Sequence, residues 1–139
     1  MKKEDKDLLL KDLCARLPYG VKIQVNDRVE ILEGIGILDN VAEYGSFLSC
    51  DIEEVKPYLF PLSSMNEEQK YDFYCRFIEN DCDFDDFKEF YLDNGMWHEL
   101  LTSVDDVEAI IDWFNKNHFD YRGLIPKCLA IDTTGLNIY

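Results

Sequence analysis

The apolar positions of this chain keep a period of two in its first half and shift to about 3.6 after residue 61. Before the first strand pattern, Leu9, Leu10, Leu13, Cys14 and Leu17 recur at three- and four-residue steps and predict a helix over residues 5–17, which Pro18 and Gly20 stop. So short a helix is marginal alone, so its leucines must dock on the adjacent sheet. Val21, Ile23 and Val25 alternate with Lys22 and Gln24 and predict a half-buried strand, with Asn26 and Asp27 as a tight turn. A second strand follows from Arg28 to Leu38, its apolar positions Val29, Ile31, Ile35 and Ile37, with Gly34 and Gly36 permitting a bulge. Asp39 and Asn40 turn the chain into a third strand over residues 44–50, with Phe47 and Leu48 near its centre. Val55 and Tyr58 to Phe60 supply a short last strand between Pro57 and Pro61.

After residue 61, Ser64 and Glu67 have capping-box spacing, and Tyr71, Tyr74, Phe77 and Ile78 share one helical face. Phe84, Phe87, Phe90 and Tyr91 repeat the pattern up to Asn94 and Gly95. Ser103 and Asp106 form a second capping box before the stripe Val104, Val107, Ile110, Ile111 and Phe114, which Asn117 and His118 close. In the tail, Leu124, Ile125, Leu129 and Ile131 are expected to be partly buried, with a turn at Thr133, Thr134 and Gly135. The expected fold is α+β in a single domain, 1–139. A small antiparallel meander or partly open barrel over about residues 21–60 is packed by an N-terminal helix and three helices of the C-terminal half.

Charge adds a partner class to this picture. The 139 residues carry 29 acidic against 14 basic side chains, a formal charge of −15. The first sixty residues hold a net −4 and the remainder a net −11. Such a field repels nucleic-acid phosphates and anionic membranes and favours basic partners. No stretch approaches the roughly 20 apolar residues that cross a bilayer, and Leu8, Leu9 and Leu10 alone do not make a signal-peptide core. Five cysteines at unpaired spacings fit reduced thiols and a cytoplasmic location.

Known catalytic patterns are absent. The two histidines, His98 and His118, stand twenty residues apart, and no Cys-x-x-Cys occurs. Asp81, Asp83 and Asp85 open like a calcium loop, but Asp86 stands where the sharp turn needs Gly and Leu92 where a bidentate Glu is needed. The simpler reading places these carboxylates at a helix N-terminus, where the dipole favours negative charge. No nucleophile elbow, Ser-x-x-Lys or phosphate-binding loop is present. Cys14 and Cys75 read as core thiols. No cofactor, metal or catalytic residue is assigned.

Two segments remain as binding candidates. Residues 79–93 hold seven acidic side chains and one basic one, which reads either as a solvated face or as a docking surface that includes Asp81, Asp83, Asp85 and Asp86. His118, Asp120, Tyr121 and Arg122 place an imidazole, a carboxylate, a phenol and a guanidinium within five residues. There Asp120 either orients His118 or pairs with Arg122, and the cluster acts as a tertiary lock or as a partner contact.

Residues 8–21 (LLLKDLCARLPYGV), 55–65 (VKPYLFPLSSM) and 118–125 (HFDYRGLI) resemble a group of small uncharacterised proteins from gut Bacteroidales and their phages or prophages. The resemblance implies a cytoplasmic protein of bacterial or phage origin and brings no activity. Phe60 stands where relatives typically carry Arg, and the acidic segment 79–93 is longer than in the usual member.

The leading expectation is a non-enzymatic accessory or protein-interaction domain, phage- or prophage-related, that offers an acidic docking surface to a basic protein. It makes no direct contact with nucleic acid or membrane, and is a monomer or weak homodimer. The alternative is a small carboxylate-based hydrolase, with or without a divalent metal.

Overall fold

The structure, a computed structural model, describes residues 1–93 and 107–139. His98, the helix end expected at Asn94 and Gly95, the capping box of Ser103 and Asp106, and Val104 lie outside the described residues. The chain divides into two compact units, Met1–Pro61 with Asn115–Tyr139, and Leu62–Phe114. The fold class is α+β, with an N-terminal helix, helices in the C-terminal half and an open mixed sheet. Among the described residues no helix is long and apolar enough to cross a membrane.

In the first unit, helix α1 (Lys3–Arg16) runs into a 3-10 turn at Leu17–Tyr19 that contains Pro18. Strands β1 (Lys22–Val25), β2 (Arg28–Gly36), β3 (Val41–Tyr44), β4 (Leu48–Asp51) and β5 (Lys56–Pro61) follow. Two short strands, β6 (Phe119–Asp120) and β7 (Ile131–Asp132), both pair parallel with β5. The order is β4-β3-β2-β1-β5-β6, so β4 is an outer strand. Leu9 and Leu13 of α1 join Val21, Ile23, Val25, Leu32, Ala42, Leu59, Leu124 and Leu129 in one buried cluster. Burying a leucine removes about 1.5–3 kcal/mol worth of side chain from water, which explains why a helix too short to stand alone is held here.

Two strand expectations need correction. Val29 and Ile31 are exposed at 47% and 52%, while Leu32 is buried. The turn decides this. Asn26 and Asp27 take left-handed φ values of 50° and 64°, a two-residue turn that pairs Val25 with Arg28. Register then sets Val29 beside Gln24 and Ile31 beside Lys22, on the outer face, because a side chain's face is fixed by its pairing. The shift between Leu32 and Gly34 is the bulge that the glycines allow, and it leaves Glu33 as the extra residue. The strand expected over 44–50 is instead a hairpin. Tyr44 ends β3, Leu48 begins β4, and residues 45–47 form the turn, so Phe47 lies in no strand.

In the second unit, α2 (Glu67–Phe77) begins at Asn66, whose side chain accepts from Gln69 N–H while Gln69 reaches back to Asn66 N–H. The capping box therefore sits two residues after the expected Ser64, because Leu62–Ser64 turns as a 3-10 segment first. Helix α3 (Phe84–Phe87) continues into a π-helical segment, Lys88–Asp93. Helix α4 (Val107–Lys116) carries Ile110, Trp113 and Phe114 into the core. Phe73 is the hub, its ring 5.8 Å from Phe87, 5.6 Å from Phe114 and 5.1 Å from Trp113. The expected helical face missed it: Tyr71 is exposed and Phe73 is fully buried. Cys75, expected in the core, is exposed.

Candidate functional site

The segment 118–122 belongs to the first unit and meets α1. Asp12 and Arg16 lie one helical turn apart on the same face as Leu9 and Leu13, and both are fully buried. Arg16 Nε donates to Asp12 Oδ2 at 2.8 Å, and its Nη2 donates to the Phe119 carbonyl at 2.6 Å. Arg122 Nη1 donates to Asp12 Oδ1 at 3.0 Å. One carboxylate thus holds two guanidinium groups, and the Tyr121 ring lies 5.3 Å from one and 4.7 Å from the other. Arg16 Nη1 has no hydrogen-bond partner among the described residues, so Asp12 carries most of the compensation for that buried charge.

Asp120 does neither of the two things expected of it. Its carboxylate accepts from Leu124 N–H and Ile125 N–H, each at 2.9 Å, and braces the turn in which Gly123 takes φ 76°. Arg122 goes to Asp12 instead of Asp120. His118 takes φ 62°, and its carbonyl accepts from Phe60 N–H. Its ring stacks on Tyr139 at 3.7 Å with 9° between the planes. Desolvation, with Arg16 and Lys22 adding repulsion, pushes the imidazole down to about 4, so the ring is neutral near pH 7.

Tyr139 closes this corner. The β1–β5 pairing ends at Ile23 and Pro57. One step further, the Tyr139 hydroxyl accepts from Lys22 N–H at 2.9 Å and donates to the Tyr58 carbonyl at 2.8 Å. Desolvation holds this phenol up at about 12, so the proton it donates is retained. Among His118, Asp120, Tyr121 and Arg122, the bonds present are those of a tertiary lock.

The acidic segment, in the second unit, is arranged differently. Asp83 caps α3, accepting from Asp86 N–H at 2.8 Å. Asp85 and Asp86 stand in its first turn, as the helix-dipole reading expects. Lys88, the one cation of residues 79–93, is engaged by Glu67 at 3.4 Å and lies 4.5 Å from the Phe84 ring centre. Asp81, Asp86 and Glu89, like Glu79, Asp83 and Asp93, make no ion pair among the described residues. Asp81, Asp86 and Glu89, with Cys82, Phe90 and Tyr91, line a cleft of about 340 Å³. Phe90 and Tyr91 meet edge to face, centroids 4.9 Å apart at 87°. The Cys82 thiol is pushed up by desolvation and then by Asp86, Asp83 and Asp81, so it stays protonated and is a poor nucleophile.

Of the acidic candidates, Asp81 and Asp86 line the cleft, Asp83 is spent on the cap, and Asp85 lies 3.9 Å from Lys88. Glu89, Phe90, Tyr91 and Cys82 were not singled out as site residues from the sequence. The visible signal was Glu89 beside two aromatics in a run of acids. Among the described residues no three His, Cys, Asp or Glu side chains converge as a metal site. The chain matches no family model, no curated protein and no solved structure.

Proposed function

We propose that this chain is a non-enzymatic interaction protein whose acidic cleft at residues 81–91 receives a Lys or Arg side chain of a basic protein. The observation that carries this reading is the lining of one cleft of about 340 Å³ by three carboxylates that make no ion pair among the described residues and by two aromatic side chains. Carboxylates supply charge-assisted acceptors to an ammonium or guanidinium. Phe90 and Tyr91 offer ring faces, and a cation over such a face gains about 0.5–2 kcal/mol, more when desolvated. The raised pKa of the Cys82 thiol keeps it protonated, which leaves the cleft suited to holding a cation. The formal charge of −15 steers basic partners toward the protein from a distance.

The test is a fluorescence-anisotropy titration of the full chain with a labelled hexa-arginine peptide. Binding is expected to weaken steeply from about 50 to about 300 mM salt as the charges are screened. The double variant Asp86→Asn, Glu89→Gln should weaken it at least about tenfold. Binding that the double variant leaves unchanged would place the interaction elsewhere.

A further inference from the structure

The β3–β4 hairpin turn carries an unusual backbone conformation. Residues 45–47 take successive left-handed φ values of 55°, 54° and 93°. Glycine adopts this freely and serine at some cost, but a bulky aromatic at φ 93° is a true outlier. Phe47 is also fully exposed, and Leu48 beside it is 54% exposed. The bare ring therefore adds no burial of its own to offset the strain. The turn is nonetheless held in place. Glu33, the extra residue of the β2 bulge, accepts from Ser46 N–H at 3.0 Å and fixes the tip.

The backbone beside this tip is open as well. Ile52 N–H donates to Asn40 C=O, and β3 pairs Val41 with Asp51. Hydrogen-bonded pairs alternate along an antiparallel ladder, so Cys50 and Leu48 point their backbone groups at β3 and Ser49 points outward. Glu54 takes the Asp51 N–H at 3.2 Å and ends the free edge there. What remains is a short strip, Phe47 to Ser49, on the outer strand of the sheet.

We propose that this strip receives an extended basic protein segment, which pairs with Ser49 and packs its apolar side chains on Phe47 and Leu48. Charge selects this occupant. Between residues 28 and 51 five carboxylates stand against the single cation Arg28. Glu30, Glu33 and Glu43 make no ion pair among the described residues. Glu30 and Glu33 both reach the turn. A second copy of the chain would bring the same carboxylates to the same strip. A segment alternating apolar residues with Lys or Arg satisfies edge, ring and charge together. This surface is separate from the acidic cleft and does not depend on it.

The experiment is a ¹⁵N-amide titration of the full chain with two synthetic octapeptides of equal charge, one alternating Leu and Lys and the other Ser and Lys. The Leu–Lys peptide should shift the Phe47, Leu48 and Ser49 signals and slow hydrogen exchange at Ser49. The Ser–Lys peptide should leave those three signals in place, while Phe90 and Tyr91 in the same spectra report the cleft. Phe47→Gly, which removes ring and strain together, should keep or raise the thermal midpoint and weaken the Leu–Lys effect at least about tenfold. Phe47→Tyr should retain it. Equal shifts by both peptides, or an unaltered response in Phe47→Gly, would overturn the proposal. So would a dimer in sedimentation that Phe47→Gly abolishes.

Discussion

Asp12 answers two arginines from inside the first unit, and its removal is the sharpest single-residue test of that unit. Asp12→Asn keeps the volume but leaves Arg16 and Arg122 without their counter-charge, with Arg16 fully buried. Unpairing a buried ion typically costs 3–5 kcal/mol, so urea unfolding of this variant should show a loss of about that size. Glu53→Gln, which breaks only the surface contact with Lys6 at 3.5 Å, should cost under about 1 kcal/mol. His118 adds a pH signature. Its folded-state pKa of about 4 lies below the usual 6.5, so the unfolded chain takes up the proton more readily. Its contribution to stability is whole above about pH 6.5 and is lost as pH falls toward 4. His118→Asn tolerates the left-handed backbone and cannot titrate, so thermal unfolding between pH 7 and 4 should be less steeply pH-dependent in that variant. Tyr139 behaves oppositely. Its pKa is raised to about 12, so its contribution holds below about pH 10 and fades above. Tyr139→Phe should lose roughly 1–3 kcal/mol near neutral pH, because Lys22 N–H and Tyr58 C=O lose the hydroxyl between them.

Elements were legible where period and punctuation agreed. The stripe of Leu9 and Leu13 gave α1, strict alternation gave β1, and Pro57 and Pro61 framed β5. The failures came where a turn overruled the pattern. The Asn26 and Asp27 turn set a register that sent Val29 and Ile31 outward, and the turn at 45–47 split an expected strand in two. Ser64 with Glu67 and Asn66 with Gln69 have the same capping spacing, and only the 3-10 turn at Leu62–Ser64 decides between them. Asn66→Ala is therefore expected to cost about 1 kcal/mol in chemical denaturation. The candidate sites divide in the same way. The run of acids at 79–93 announced a charged surface, but which carboxylates stay without a cation depended on Lys88 and the Asp83 cap. The cluster at 118–122 was visible as a string, yet its partners Asp12 and Arg16 lie a hundred residues earlier. Their only trace was an acid and a base falling on the buried stripe of α1.

Across the whole molecule, the −15 charge shapes encounters more than fold. Self-repulsion opposes the folded state, so moderate salt should raise the thermal midpoint while it weakens binding of basic peptides. Those opposite salt responses separate a folding effect from a recognition effect in one sample. Amide chemical-shift mapping of the full chain with hexa-arginine tests the proposed cleft most directly. The expected result is a set of shifts confined to Asp81, Cys82, Asp86, Glu89, Phe90 and Tyr91, saturating at one peptide per chain. Shifts scattered over the acidic surface without saturation, or centred on residues 118–122, would contradict a cleft that recognises cations.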